Sequence, residues 1–356
     1  MDTRRSSEVP LLRVSGLNKW YGRSPSALAR RLGRPSRRLR ALHDVDLKVQ
    51  RGETVAVVGE TGSGKSTLGR LIVRLEPPSS GSIEVDGNSV LGVSRAESQR
   101  LRRKIQIILQ DPYSTLNPHR SIAAAIGEVL KVHGTASRAE RDAETDRLLE
   151  LVGFPVSMRD RMPGQLSGGG RQRASIARAL AVHPELLIAD EPVSALDVSV
   201  QAQVLNLFEQ LRDELGLAYV FITHDIAVVR RLADRIAVMY LGRIVEEGAA
   251  EQVLSRPLHP YTKALLAAAP DLDARKGTAA PVSANRGPAL AGDMPNPIDP
   301  PAGCVFHPRC PAVMDICRTA DPLTTSPDAG HRVACHLYPG PASSQDHANA
   351  QGEVNI

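Results

Sequence analysis

An α/β fold with a parallel central sheet is predicted by three observations. A short β-branched run at residues 53–58 and short apolar runs at 186–189 and 219–223 alternate with longer stretches of helical spacing. The chain is 42% apolar but only 3% aromatic, so its interior must be built from Ala, Val, Leu and Ile, as in layers over parallel strands. Residues 59–67 read Gly-Glu-Thr-Gly-Ser-Gly-Lys-Ser-Thr between one such run and a helical stretch at 68–75, the strand-turn-helix setting of a phosphate-binding loop.

That loop is the reference for every other element. Backbone N–H groups along Gly59, Glu60, Thr61, Gly62, Ser63 and Gly64, with the positive end of the following helix, form a cradle for an anionic phosphate. Gly62 and Gly64 allow close approach. Lys65 supplies a point charge to the β and γ phosphates, the Ser66 hydroxyl is placed to ligate magnesium, and Thr67 completes the motif. The competing reading is an ordinary glycine-rich turn; the strand before and the helix after weigh against it.

Ahead of the loop, residues 11–21 and 41–49 alternate as strands of a mostly antiparallel unit. Seven arginines fall between Arg23 and Arg40 with no acid among them, supplying much of the net charge of +5. They read as a solvated surface insertion rather than a lipid or nucleic-acid contact. Behind the loop, a Pro-Pro-Ser-Ser-Gly turn leads to a hairpin-like stretch at 83–90, then charged sequence, then an apolar strand at 105–109 that ends at Gln110. Residues 121–153 are helical in pattern, a small lobe (about 112–165) inserted in the α/β core, after which strand and helix alternate again, with a long amphipathic helix at 200–215. The nucleotide-binding domain is thus expected over 1–255. Seven prolines between Pro270 and Pro301 mark a linker, set at 256–302; a compact segment with all four cysteines follows at 303–340, and a polar, disordered tail at 341–356. At 356 residues the chain exceeds one ordinary core, in keeping with a large domain of several lobes plus an appendage. No stretch approaches the apolar length of a membrane span, so a cytosolic protein is expected.

The 186–189 strand ends in Asp190 and Glu191, at the edge where ligands bind in open α/β sheets. Asp190 can hold the magnesium shell, and Glu191, one residue further out, can orient or deprotonate a water for attack on the γ phosphate. A pair of solvated acids at a strand end would be the better reading without a phosphate loop upstream. Ser167, Gly168 and Gly169 open a helix expected at 174–180 and form a second phosphate-binding helix terminus. Asp197 follows the paired acids, and His224 ends the next strand, within reach of a γ phosphate.

In that order these residues resemble the ATP-binding subunit of an ATP-binding cassette transporter, and the resemblance runs from about Leu11 to Pro339. It implies that ATP is hydrolysed with Mg²⁺ held by Ser66, Asp190 and Gln110, with Lys65, Glu191 and His224 serving catalysis. It also implies head-to-tail dimerisation, in which the loop of one subunit and the Leu-Ser-Gly-Gly signature of its partner enclose one ATP. Tyr21 would stack on adenine, with Trp20 as the competing ring. The stretch from Gln110 through Tyr113 to Pro118, the one from Pro192 to Gln203, and His259-Pro260-Tyr261-Thr262 resemble oligopeptide and dipeptide importer ATPases, specifically the second, Asp-Pro-Tyr type of the two subunits found together. One departure is Gly170, where the family's signature normally has Gln; it suggests a heterodimer with a related ATPase subunit.

Cys304, Cys310, Cys317 and Cys335 are separated by five, six and seventeen residues. A cytosolic setting argues against disulfides, and the tight pairs usual for structural zinc are absent, although His307, His331 and His336 are near. Four thiolates can hold a 4Fe-4S cluster, and the segment resembles the C-terminal extension of peptide-importer ATPases, some of which carry one; zinc and unligated buried thiols are the alternatives. The expected architecture is therefore a P-loop α/β core with an antiparallel β lobe, an inserted helical lobe and a C-terminal cysteine module. The resemblance further implies two membrane permease subunits, an external solute-binding protein, a place at the cytoplasmic face of the membrane and no nucleic acid. A soluble ATPase acting on nucleic acid or ribosomes would be expected to carry two cassettes or a long coiled coil, and neither is visible. A non-catalytic interaction subunit is opposed by intact Lys65, Glu191 and His224. The transported solute, whether peptide, nickel complex or another small molecule, is not written in this chain.

Overall fold

The computed structural model describes residues 9–22, 38–111, 115–134, 137–268 and 292–339. The basic insertion up to Arg37, Tyr113, most of the proline-rich stretch and the polar tail lie outside them. Strand β1 (Leu12–Tyr21) pairs antiparallel with β2 (Leu39–Val49), and its alternation puts Leu12, Val14 and Leu17 inside. Strand β3 (Thr54–Val58) is buried at all five positions, which is why it reads as a continuous apolar run rather than an alternating one.

Helix α1 (Lys65–Ile72) starts three residues before the predicted one and ends earlier. Its first turn is polar because it faces the loop, so apolar spacing cannot detect it. Its end is set by Arg74, whose φ of 61° cannot continue a helix, and this leaves Leu75 exposed. The 83–90 stretch becomes β4 (Ser80–Val85) and β5 (Asn88–Ser89), joined at Asp86-Gly87 with φ of 51° and 73°, both positive as a tight hairpin turn requires. The charged segment after it is a helix, α2 (Arg95–Lys104), capped by Ser94; only Leu101 is buried, so it carries almost no apolar period.

Strand β6 (Ile105–Ile108) then enters the main sheet. Helices α3 (Ile122–Val132) and α4 (Arg138–Leu151) form the inserted lobe, the latter opened by a Ser137–Glu140 capping box. Next come α5 (Gly168–Leu180), β7 (Leu186–Asp190), α6 (Val198–Leu215), β8 (Ala218–Thr223), α7 (Ile226–Leu232), β9 (Arg235–Tyr240), β10 (Arg243–Ala249), α8 (Ala250–Ser255) and α9 (Pro260–Ala267). A hairpin of β11 (Thr324–Asp328) and β12 (His331–Ala334) ends the described chain.

The strands form two sheets, an antiparallel one ordered β2-β1-β4-β5 and a larger one ordered β11-β12-β10-β9-β3-β8-β7-β6. Within the second, β9, β3, β8, β7 and β6 are parallel neighbours. One face packs Leu187, Ala189 and Phe221 against α5, α6 and the helical lobe, with Phe208 edge-on to Tyr219 and Phe221 at 5.6 and 5.4 Å. The other face packs Val55, Val57, Ile188 and Ile222 against α1 and the antiparallel sheet.

The C-terminal part is not an appendage on a free linker. Within 256–302, α9 is folded onto the core with Tyr261 wholly buried. Beyond the undescribed 269–291, the cysteine segment extends the main sheet: β12 pairs antiparallel with β10, covering what would otherwise be its open edge. Phe306 is fully buried against Tyr240, Tyr261 and His259, with ring centroids 5.2, 5.5 and 5.6 Å away. The joint is fastened by Glu246, wholly buried, whose carboxylate meets His331 Nε2 at 2.7 Å and accepts from the Leu258 and His259 amides at 2.8 Å. A short chain segment that could not bury enough apolar surface alone thus borrows the core of the sheet. No described helix is long and apolar enough to cross a membrane.

Candidate functional site

The register of the parallel strands brings the predicted residues to one edge. Val58 is level with Thr223, Asp190 with Ile222 and Ile108 with Ala189, so the loop after β3, the acids at the end of β7, His224 after β8 and Gln110 after β6 emerge side by side. Gly64 caps α1 with a φ of 105°, and a Cβ there would stand 2.6 Å from the Ala41 carbonyl oxygen, so both conformation and space demand glycine. Lys65 is buried. Its Nζ donates to the carbonyls of Gly59 at 2.7 Å and Glu60 at 2.9 Å. Burial lowers its pKa, while the carboxylates of Glu191, Asp190 and Glu60 act to keep it charged.

Ser66 Oγ donates to Asp190 Oδ1 at 2.9 Å, a hydroxyl and a buried carboxylate set for one hard cation. Burial raises the Asp190 pKa; the Ser66 bond opposes this and Glu191 adds to it. Glu191 itself sits at φ 48°, left-handed and uncommon for a residue with a side chain, and its amide donates to Ile222 O at 2.9 Å. That backbone turns the carboxylate toward two neighbours: Oε1 lies 3.1 Å from His224 Nδ1, and Oε2 accepts from Gln110 Nε2 at 3.0 Å. A carboxylate held at both oxygens beside a phosphate cradle can accept a proton from a water in the same cleft.

Ser167 caps α5, its Oγ accepting from Gly170 N at 3.2 Å; the helix starts at Gly168, six residues ahead of its apolar pattern, because the glycines carry no hydrophobic signal. At Gly169 a Cβ would lie 2.5 Å from Val200 Cγ1, so the signature packs directly on α6, whose N-cap is Asp197. Among the described residues no hydrogen bond or ion pair joins Ser167, Gly168 or Gly169 to the 59–67 loop. Gly170 is different: the nearest atom to a Cβ there is Ser167 Oγ at 3.4 Å, an ordinary contact.

Both candidate stacking rings are engaged. The Tyr21 hydroxyl donates to Glu76 Oε2 at 2.6 Å, with Lys19 Nζ 4.8 Å from the ring centroid. Trp20 is 39% exposed and carries the guanidinium carbons of Arg38 and Arg40 at 6.0 and 5.7 Å.

Sequence reasoning missed the partners of Glu60. Its amide donates to Tyr261 Oη at 2.9 Å, and its carboxylate accepts from Arg309 Nη1 at 3.0 Å and Nη2 at 3.3 Å. The His-Pro-Tyr-Thr stretch had marked Tyr261 without giving it a role; nothing local marks Arg309.

Cys304, Cys317 and Cys335 are buried and Cys310 partly so, and the Cys304 amide donates to Cys317 O at 2.9 Å. Burial pushes the Cys304 thiol up to about 11, with smaller contributions from the other three sulfurs. Among the described residues no three or more Cys, His, Asp or Glu side chains stand as a group that could hold a metal ion. The nearby histidines face elsewhere: His307 Nδ1 to Cys304 O at 3.0 Å, His336 Nε2 to Ala320 O at 2.9 Å, and His331 to Glu246.

Residues 42–194 match the family model described as ABC transporter, and 245–317 match that of the oligopeptide/dipeptide transporter C-terminal region. The chain is 44% identical to the dipeptide transport ATP-binding protein DppF of Haemophilus influenzae, over 94% of this chain and 99% of that one. It is 49% identical to a protein of Sinorhizobium fredii named "Probable peptide ABC transporter ATP-binding protein y4tS", over 84% of this chain and 83% of that one. Among solved structures it resembles the dimeric, post-hydrolysis ATP-binding cassette MJ0796 bound to ADP and Pi, with TM-score 0.59 and 29% identity, covering 67% of this chain and 98% of that one. The two phosphate-site signatures, the shared sheet edge and a C-terminal region built onto that sheet have one common account: the chain belongs to the ABC transporter ATP-binding family, in the branch carrying the oligopeptide/dipeptide transporter C-terminal region.

Proposed function

We propose that this chain hydrolyses ATP to drive uptake of oligopeptides or dipeptides through separate membrane subunits. The observation that carries the catalytic part is Glu191 held between Gln110 and His224, next to the Ser66–Asp190 pair. ATP seats its phosphates on the amides of the 59–67 loop, and Lys65 exchanges its two backbone carbonyls for the β and γ oxygens. Ser66, Asp190 and Gln110 are the residues that would hold Mg²⁺, which when bound offsets the charge of the transferring phosphoryl group. Glu191 accepts the proton of the attacking water, and His224 orients the carboxylate and reaches the γ phosphate. Positioning and charge stabilisation suffice, with no covalent enzyme intermediate. Tyr21 is assigned to the adenine face and Asp197 to the dimer-facing edge of the nucleotide.

The peptide assignment draws on the C-terminal region and on the names of the relatives. On this reading the signature at Ser167, Gly168 and Gly169 serves the ATP of a second, related ATPase subunit, and Gly170 supports a heterodimer. The remaining partners are two permease subunits and an external solute-binding protein, which puts the chain at the cytoplasmic face of the membrane. The test is co-purification and reconstitution: ATPase activity of the full assembly should rise with a loaded peptide-binding protein. An assembly stimulated by a different solute, or by nucleic acid, refutes the peptide assignment.

The cysteine quartet is assigned to a 4Fe-4S cluster with a structural role, zinc being the alternative. Support comes from the donor chemistry of four cysteines within one short segment, three of them buried. Anaerobically purified protein should be brown, with about four irons per chain. Zinc without iron changes the metal, and four free thiols in a folded segment exclude both.

A further inference from the structure

The cysteine module reaches into the phosphate-binding loop. Arg309 lies between Cys304 and Cys310 in a short helical turn (His307–Arg309), with its amide on Phe306 O at 3.0 Å and its side chain only 7% exposed. From there its guanidinium passes over Tyr240, 5.9 Å from the ring centroid, and grips the Glu60 carboxylate with both Nη atoms. Glu60 is held at two further points: its amide donates to Tyr261 Oη, and its carbonyl accepts from Lys65 Nζ. One residue of the loop therefore connects the lysine that meets phosphate to a segment 249 residues away in sequence.

A glutamate in a loop that binds a polyanion is a liability. Its charge repels phosphate unless a cation neutralises it and turns it aside. Arg309 does both, and the fork geometry also fixes direction. Phe306, locked among Tyr240, Tyr261 and His259, holds the turn that carries the arginine. We propose that Arg309 is a positioning residue for nucleotide binding: by neutralising and anchoring Glu60 it makes the ATP affinity of the loop depend on the folded cysteine module. The inference rests on ATP binding at residues 59–67.

Equilibrium binding of a fluorescent ATP analogue to the full-length purified chain tests it, with Arg309→Met, Arg309→Lys, Glu60→Gln and the double variant Arg309→Met/Glu60→Gln. Arg309→Met should weaken binding roughly tenfold, the lower end of what loss of a charge-assisted pairing costs. Arg309→Lys should recover part of the loss. The distinguishing readout is the double variant: removing the stranded carboxylate should restore most of the affinity, which a merely structural role for Arg309 would not do. Wild-type affinity in both Arg309 variants, or a loss that Glu60→Gln leaves unrelieved, overturns the proposal. If Arg309→Met does not fold, wild-type affinity in Arg309→Lys overturns it and a weakening relieved by Glu60→Gln supports it. A wild-type chain that binds no ATP refutes the functional reading as well.

Discussion

Replacing Glu191 by Gln isolates proton acceptance from everything else the residue does. The new amide has the same shape, so its oxygen can still accept from Gln110 Nε2 while its nitrogen donates to His224 Nδ1, and the two contacts at 3.0 and 3.1 Å survive in one tautomer of the histidine. The left-handed backbone at φ 48° is unaffected, since Gln meets the same steric cost as Glu. The electrostatic change favours the substrate. Glu191 contributes to the raised pKa of Asp190, so its neutralisation leaves Asp190 more firmly ionised, and one negative charge beside the phosphates is gone. Lys65 loses one of three supporting carboxylates but keeps Asp190 and Glu60. ATP affinity should therefore hold or increase. Turnover should fall by roughly 10²–10⁴, the usual contribution of a positioned base, or about 3–5 kcal/mol of barrier. Phosphate release from the reconstituted transporter, set beside equilibrium ATP binding by the same variant, separates the two effects. A near-wild-type rate would remove Glu191 from the role; lost ATP binding would refute the charge argument.

Gly169→Ala should destabilise the helix start by about 1–3 kcal/mol through overpacking, because its Cβ would stand 2.5 Å from Val200 Cγ1, and Val200→Ala in the same chain should restore the melting temperature. At Gly170, by contrast, a Cβ meets only ordinary contacts from 3.4 Å outward, so Gly170→Ala should gain roughly 0.5–1 kcal/mol in helix propensity; a destabilised variant in thermal unfolding would show that this space is not usable. His259 is buried, and burial lowers its pKa from 6.5 to about 3. The unfolded chain therefore binds a proton that the folded one refuses between those values, so stability is full above pH 6.5 and falls as pH drops, by up to about 1.4 kcal/mol per unit from this group. Denaturant unfolding of His259→Asn against wild type from pH 7 to 5 should show a shallower loss in the variant; parallel curves would count against the assignment.

The residues with local chemistry were readable one by one. A lysine and serine after a glycine-rich turn, two acids closing an apolar run, and the strands β3, β7 and β8, buried at every position and mostly apolar, all announce themselves within a few positions. Helix starts were not readable where function replaced hydrophobic residues: the polar first turn of α1 and the glycines opening α5 carry no apolar period. Strand β11, Thr-Thr-Ser-Pro-Asp, carries no alternating apolar pattern and exists as a strand because β12 lies beside it. Whether Glu191 would face His224 depended on the register between β7 and β8 and on one left-handed backbone angle, neither of which leaves a mark in composition. The largest difference lies at the C-terminus. Proline density suggested a module hung beyond a linker, yet β12 pairs along the edge of β10 and Phe306 packs on Tyr240, contacts made by a segment arriving from far along the chain. That closure carries Arg309 to Glu60. Local propensity and motif chemistry therefore specified which groups the protein would use, while contacts across some 250 residues decided which of them meet, because pairing a sheet edge and neutralising a buried charge are satisfied only in three dimensions.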